Sequence, residues 1–357
     1  MQLSQKQTDA FDAIMNWYKD PSKKRFVLSG YAGTGKTTLA QTIEREISNI
    51  IFLAYTGKAV NVLREKGCKN FSTIHSLCYK PKMINQKLVF HRVPYIENKA
   101  SLYIVDEYSM LSNDLIADLE SLVGKVLYIG DSFQLPPVSG TNSLKPDFYL
   151  TEVHRQALDS NIIRIATDVR SGILPDYCEH DDFVFTRKNK IDKNIFLQAD
   201  QLLVGTNKTR RDWNRRFRSH VIPDTDYIEK GEKIICLKNN KYIGIFNGMI
   251  GSIESSIDIG SLDKDDCHCI NFDGIKKIFS WLGDFNELDV NKYPHINLNK
   301  EINRFDFGYA ITVHKSQGSE FDTIVLYNEP VGKTNIEKWR WLYTGITRAR
   351  KMVYLVN

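Results

Sequence analysis

The sequence predicts an α/β protein of two parallel-sheet lobes, each interrupted by a small β insertion. Three observations carry that expectation. Short apolar runs recur ahead of helical patterns, the strand–loop–helix rhythm from which parallel sheets are built. The rhythm breaks between Cys78 and Asn98 and again between Asp226 and Asn303, where short strands follow one another without helices. At 357 residues the chain is long enough for two or three domains, each with its own core. The expected boundaries are 1–78 with 97–149 for the first lobe and 79–96 for a β-hairpin inserted in it. The second lobe takes 150–225 with 304–357, and a small all-β, barrel-like insertion takes 226–303.

Composition bounds the class. Hydrophobic residues make up 42% and charged residues 25%, which excludes disordered and fibrous chains. The excess of 48 basic over 43 acidic residues permits a nucleic-acid partner without requiring one. Six cysteines are scattered without paired metal spacing, and Cys267-His268-Cys269 is too tight for a zinc finger. They read as reduced thiols of a cytoplasmic protein, or of one in a host cytoplasm if the chain is viral. The first residues lack the apolar core of a signal peptide, and no stretch approaches the roughly twenty apolar residues of a membrane span, so no membrane partner is expected.

The first lobe opens with a helix, because Phe11, Ile14, Met15 and Tyr18 share one face behind the N-cap Ser4. Gln7 precedes that face, either as a solvated side chain or as an amide partner for an adenine edge. The strand Phe26-Val27-Leu28 then runs into Gly30-Tyr31-Ala32-Gly33-Thr34-Gly35-Lys36-Thr37-Thr38, with a helical pattern from Leu39. The spacing G-x-x-x-x-G-K-T between a strand and a helix forms a phosphate cradle. Its glycines let backbone amides from Gly33 to Thr38 close around a polyphosphate, and the helix N-terminus adds positive charge. Lys36 is placed to reach the β- and γ-phosphates, and the Thr37 hydroxyl to ligate Mg²⁺. A glycine turn before an ordinary helix is the competing reading, and the complete spacing in its full context weighs against it.

The buried strand Ile50–Ala54 leads into Tyr55-Thr56-Gly57-Lys58 and a helix, and Phe71–Leu77 carries Thr73 and His75. His75 alone reads as a structural histidine. Basic segments on either side of Asn85-Gln86 predict the hairpin, whose tip-side aromatic residue, Phe90, either packs on the domain or serves as a wedge or stacking platform. The strand Leu102–Val105 then delivers Asp106 and Glu107. Two carboxylates at a strand end, about seventy residues after a phosphate loop, are the other half of a triphosphatase site. Asp106 holds the Mg²⁺ shell and Glu107 orients or deprotonates the attacking water. After a helix over Asp114–Val123, the strand Val126–Ile129 ends in Gly130-Asp131-Ser132-Phe133-Gln134. Gln134 is a candidate γ-phosphate sensor, with turn chemistry as its alternative.

In the second lobe Arg155 precedes a helix over Ser160–Arg170, and Leu202–Gly205 forms a strand. The next helix, Lys208–His220, carries five arginines within nine residues (210, 211, 215, 216 and 218), a solvated face or a phosphate-contacting one. Phe307–Phe321 is a second concentrated polar stretch ahead of the buried strand Thr323–Tyr327. The last helix is expected over Ile336–Arg350, with Met352–Val356 closing the sheet. Arg348, late in that helix, either caps it or acts as an arginine finger on the γ-phosphate.

Taken together these stretches resemble superfamily-one DNA helicases of the RecD/Dda branch, over nearly the whole chain. The phosphate loop and Asp106-Glu107 are similar to the two Walker motifs, and Leu3–Ala10 to an adenine-reading motif centred on Gln7. Gly130–Pro137 is similar to the third helicase motif, Arg155 to the arginine of the fourth, Ala310–Phe321 to the fifth and Tyr343–Arg350 to the sixth. The resemblance implies two RecA-like lobes sharing one Mg²⁺-bound ATP, with an SH3-like barrel as the second insertion. It makes Glu320 the ribose contact and Arg155 and Arg348 the γ-phosphate arginines. It also places Thr56, Lys58, Thr73, His75, Thr312, His314 and Lys315 against single-stranded DNA, and Phe90 on a strand-separating pin. The implied activity is ATP-driven 5′→3′ translocation on single-stranded DNA and unwinding at single-strand/duplex junctions. The motor is expected to work as a monomer, with replication or recombination proteins as partners. Tyr55 stands where the family has proline, and the β insertion is shorter than in Dda. The competing functions are an RNA-directed member of the same superfamily, a nucleic-acid-binding protein with a degenerate ATP site, and a nucleotide kinase or small GTPase, neither of which needs a second lobe.

Overall fold

The structure is a computed structural model of the chain, described for residues 3–65, 67–84, 87–97, 99–152, 160–221, 229–237, 247–256, 267–272, 275–281 and 305–357. Arg155 and the hairpin turn at 85–86 lie outside the described residues.

The first lobe runs α1 (Gln5–Lys19), β1 (Arg25–Gly30), α2 (Lys36–Glu46), β2 (Ile50–Ala54), α3 (Gly57–Glu65), β3 (Phe71–Thr73) and α4 (Ile74–Cys78). After β4 (Tyr79–Ile84) and β5 (Lys87–Arg92) come β6 (Leu102–Val105), α5 (Asn113–Leu122), β7 (Val126–Gly130) and β8 (Phe148–Leu150). The sheet has the order β3-β2-β6-β7-β1-β8, with every pairing parallel. Its central strands read as unbroken apolar runs because helices cover both faces. Ile14, Leu39, Ile43 and Leu63 pack on one face, and Ile74, Leu115 and Leu119 on the other.

The second lobe contains α6 (Asn161–Arg170), β9 (Cys178–Glu179), β10 (Phe183–Thr186), α7 (Lys193–Gln198), β11 (Gln201–Val204) and α8 (Asn207–Val221). A separate antiparallel run follows, with β12 (Lys233–Cys236), β13 (Ile250–Ser256), β14 (Cys267–Phe272), β15 (Ile275–Trp281) and β16 (Phe305–Phe307). The lobe closes with β17 (Ala310–Thr312), α9 (Val313–Ser316), β18 (Phe321–Tyr327), α10 (Asn335–Ile346) and β19 (Ala349–Val356). Its sheet has the order β17-β11-β18-β19-β10-β9, parallel except at the edge strand β9. The antiparallel run forms its own five-stranded sheet, β15-β14-β13-β12-β16. Because β16 pairs with β12, that sheet reaches Phe307, beyond the expected boundary at 303.

The two parallel sheets repeat one another. Read side by side, their orders match β3 with β17, β2 with β11, β6 with β18, β7 with β19 and β1 with β10. Local sequence repeats too, since β3 and β17 both end in a Thr-x-His turn, Thr73-Ile74-His75 and Thr312-Val313-His314. Each threonine N-caps the short helix after it: Thr73 Oγ1 accepts from Ser76 N–H at 3.1 Å, and Thr312 Oγ1 from Lys315 N–H at 3.3 Å. β6 ends in Asp106-Glu107 and β18 in Asn328-Glu329. The repetition fails at β1, which opens into the glycine loop, whereas β10 runs into Arg187-Lys188.

Two expectations need correction. The last helix stops at Ile346, so Arg348 sits in the turn ahead of β19 and not inside a helix. Phe90 pairs with Pro81 in the middle of the hairpin ladder, three residue pairs short of the turn, and is not at its tip. It is 60% exposed, so it does not pack on the domain. The hairpin base is anchored by Tyr79, whose hydroxyl donates to Asp118, and by Arg92, which donates to Ser121 Oγ at 2.9 Å.

Candidate functional site

The phosphate loop leaves β1 at Gly30. Gly33 (φ 77°) and Gly35 (φ 75°) take left-handed backbone conformations that a Cβ would strain. Gly35 is the N-cap of α2 and brings no side-chain acceptor, so the helix's first amides keep their capacity for an anion. Lys36 Nζ folds back on the loop, donating to Gly30 O at 2.7 Å and Tyr31 O at 2.8 Å. Thr34 Oγ1 donates to Tyr31 O at 2.9 Å. Gln7 is buried against this loop. Its Nε2 donates to Thr34 O at 3.2 Å, while its Oε1 accepts from Ser4 N–H at 3.0 Å in the capping box of α1. The predicted adenine reader is thus also a brace for the loop.

Asp106 and Glu107 leave β6 at the same sheet edge. Glu107 adopts φ 54°, an uncommon strain for a non-glycine residue, and its N–H donates to Asp106 Oδ1 at 2.9 Å. One hydroxyl (Thr37) and one carboxylate (Asp106) suit Mg²⁺, which takes few protein ligands beside phosphate oxygens. No group of three His, Cys, Asp or Glu among the described residues is arranged to hold a metal by itself.

The second lobe closes over these groups. Arg348, 3% exposed, places Nη1 3.7 Å from Glu107 Oε1. Its Nε donates to Thr344 O at 3.1 Å and its Nη1 to Ser319 O at 3.4 Å, which hold the guanidinium in place. Gln134 lies between the two charges. With its amide oriented to satisfy both, it donates to Glu107 Oε2 at 3.0 Å and accepts from Arg348 Nη2 at 3.1 Å.

Beside this triad the hydroxyl of Tyr343 accepts from Ala32 N–H at 3.2 Å and donates to the carboxylate of Asp131. Burial pushes the Asp131 pKa up, opposed first by the nearby Lys36 ammonium, and burial also raises that of Tyr343 well above the usual phenol range. The segment after Asp131 inserts into the second lobe. Leu135 N–H donates to Thr344 Oγ1 at 3.1 Å, Leu135 O accepts from Gln317 Nε2 at 3.0 Å, and Phe133 meets the Tyr343 ring edge-on at 5.3 Å. Arg170, from the end of α6, stacks its guanidinium 3.3 Å from the Tyr31 ring centroid.

Of the predicted DNA-facing residues, Thr56 and Lys58 lie at the same seam. Thr56 Oγ1 accepts from Ala59 N–H at 3.2 Å, and Lys58 Nζ lies 4.7 Å above the Phe321 ring of the other lobe. Gly318 (φ 70°) is required there, since a Cβ would sit 3.0 Å from Ala59 Cβ. Thr73 and Thr312 are largely buried as helix caps. His75 is exposed, its ring 5.4 Å from Tyr55 and 5.8 Å from Tyr79. Burial lowers the pKa of His314, and of Lys315, where Arg210 adds to the effect. Glu320 is exposed one residue before β18. Phe90 stands apart, on the hairpin.

Residues 2–184 match the model of an AAA domain. The chain belongs to that family. Residues 307–356 match a UvrD-like helicase C-terminal domain. The chain is 26% identical over 388 residues to the ATP-dependent RecD2 DNA helicase of Deinococcus radiodurans, covering 98% of this chain and 48% of that protein. It is 36% identical over 192 residues to the ATP-dependent DNA helicase Dda of enterobacteria phage T4, covering 48% of this chain and 43% of that protein. The chain thus matches less than half the length of either relative. In fold it is similar to Bacteroides Pif1 bound to single-stranded DNA, with a TM-score of 0.61 and 18% identity over 99% of this chain and 92% of that one. In sequence the chain is thus similar to superfamily-one DNA helicases of the RecD/Dda branch, and in fold to Pif1.

Sequence reasoning missed several residues of the seam. Tyr343, Thr344 and Asp131 lay inside stretches already singled out, and only their partners were unknown. Arg170 had no signal beyond its place at a helix end.

Proposed function

We propose that the chain is an ATP-driven DNA helicase that moves 5′→3′ along single-stranded DNA and opens duplex at junctions. The observation that carries this reading is the meeting of Glu107 with Arg348 across the two lobes, with Gln134 between them. A carboxylate able to orient water and an arginine from the opposite lobe are the groups a γ-phosphoryl transfer needs on its two sides.

In this reading Lys36 exchanges its two carbonyl partners for phosphate oxygens, and the amides from Gly33 to Thr38 surround the polyphosphate. Thr37 and Asp106 would hold Mg²⁺, which would supply charge neutralisation for the polyphosphate. Gln7 meets the base, Glu320 the ribose, and Arg155 joins Arg348 as the second arginine. Arg348 leaves Glu107 for the γ-phosphate, which frees the carboxylate to accept a proton from water, and Gln134 reports the exchange along the Asp131–Leu135 segment. Thr56, Lys58, Thr73, His75, Thr312, His314 and Lys315 follow the strand across both lobes. The hairpin within 79–96 acts as the pin, and the antiparallel sheet of the 226–303 unit forms an SH3-like barrel beside the track. The motor acts as a monomer.

The test is phosphate release with and without single-stranded DNA. Lys36→Ala and Glu107→Gln are expected to abolish turnover and to leave DNA affinity largely intact; unchanged turnover refutes the site. RNA of the same sequence is expected to stimulate less than DNA. Duplexes with a 5′ or a 3′ tail read the polarity.

A further inference from the structure

We propose that the carboxyl edge of the second sheet carries another nucleic-acid surface, where Lys188 and Arg216 take the phosphodiester backbone outside the track between the lobes. The proposal rests on the DNA-motor reading above. It begins with the five arginines of α8, which the structure separates. Arg210 donates to the buried Asp306, and Arg218 Nε donates to Glu232 at 2.9 Å, so both serve the fold. Arg211, Arg215 and Arg216 remain exposed.

Arg216 does not stand alone. Its Cζ lies 5.6 Å from the centroid of Trp213, and Lys188 Nζ, from the loop after β10, lies 4.7 Å from the same centroid and 5.7 Å from that of Tyr327. Phe196 stacks on the same indole at 4.9 Å. Partial burial lowers the pKa of Lys188, and so does Arg216. Two cations therefore converge on one aromatic floor, and neither has a carboxylate ion-pair partner among the described residues. The nearby Asp212 is 3.8 Å from Arg215. A solvated basic face spreads its charges apart, whereas convergence without a counter-charge suits an anion that bridges them.

A second marker of positive potential lies on the same edge. Tyr177 is exposed, yet a hydrogen bond from Asn357 and the neighbouring Arg187 and Lys190 hold its pKa below the usual phenol value. The amides at the start of α8 are not the receptor. Glu329 already fills that end, accepting from Gly205 N–H at 3.0 Å and Thr206 N–H at 3.2 Å. Recognition is left to side chains, and with Trp213 packed against Phe196 it reads phosphate and not base. Asn214, which hydrogen-bonds Ala310 of β17, is buried on the inner face of α8, whereas Arg216 two residues on is exposed on the outer face, so backbone held here lies across the helix from Thr312.

The experiment measures DNA affinity against salt for the full chain and for a Lys188→Ala/Arg216→Ala double variant. The probes are a short single strand, a long single strand and a forked duplex. Loss of two phosphate contacts is expected to flatten the log–log salt slope by about 1.8 if the surface holds duplex, seen on the fork, or about 1.4 if it holds single strand, seen on the long oligonucleotide. The short strand should keep its slope and its ATPase stimulation. Unchanged slopes on every probe overturn the proposal, as does an equal loss on the short strand. Should the double variant fail to fold, Lys188→Gln/Arg216→Gln keeps side-chain packing on Trp213 while removing both charges, with the same outcomes deciding. Native protein whose ATPase ignores DNA would instead overturn the motor reading.

Discussion

Replacing Tyr343 with phenylalanine removes one oxygen atom and tests how the lobes are joined. The ring stays, so its packing in the core of the second lobe is preserved. What disappears is a hydroxyl that donates to Asp131 and accepts from Ala32 N–H. Tyr343 is 1% exposed and Asp131 0%, so water does not replace the lost donor at the carboxylate. Asp131 keeps the amide of Phe133, at 2.9 Å from Oδ1, but its other oxygen is left without that partner. Stranding a buried polar group costs about 1–3 kcal/mol. Ala32 is half-buried and can recruit water, so it adds little. Urea unfolding of the native protein, Tyr343→Phe, Asp131→Asn and the double variant gives the coupling directly. A coupling energy of about 1–3 kcal/mol is expected for the pair. Additivity within about 0.5 kcal/mol would show that the hydroxyl and the carboxylate do not depend on one another, and would refute the reasoning.

Arg210→Ala leaves Asp306 as an uncompensated charge, so a stability loss of about 3–5 kcal/mol is expected in denaturant melts, and Arg210→Ala/Asp306→Ala should recover part of it. His314 has its pKa lowered by burial, so below about pH 6.5 the unfolded chain binds the proton more readily and stability falls as the solution is acidified; His314→Gln should flatten that slope in melts between about pH 5 and 6.5. Phe90→Ala is expected to impair strand separation more than DNA-stimulated ATPase, measured on the same preparation; equal loss of both would make the residue structural.

The features legible in the sequence were those whose physics is local. The glycine loop, the carboxylates after β6 and the cap at Ser4 each follow from neighbours a few residues away. The seam was not legible because its contacts join distant positions, 212 residues apart for Tyr343 with Asp131 and 311 for Ala32 with Tyr343. The arginines of α8 illustrate the same limit. Periodicity placed them on a helix, but the two that turn inward are fixed by Asp306 and Glu232, neither of which belongs to that helix. The end of α10 was overrun because Thr347-Arg348 contains no helix breaker; the chain leaves the helix there to pair Ala349 with Phe321. Composition marks a hairpin without giving its register, so it puts Phe90 on the tip side while the ladder holds it opposite Pro81.

The doubled sheets differ where it matters for work. At the end of β18 the acid that corresponds to Glu107 is Glu329, turned onto the amides that open α8, and the strand that corresponds to β1 ends in cations without a glycine cradle. One half of the molecule can seat fuel and the other can only lean on it. Among the described residues the cradle is thus built once, and no single substitution could give the second half one of its own.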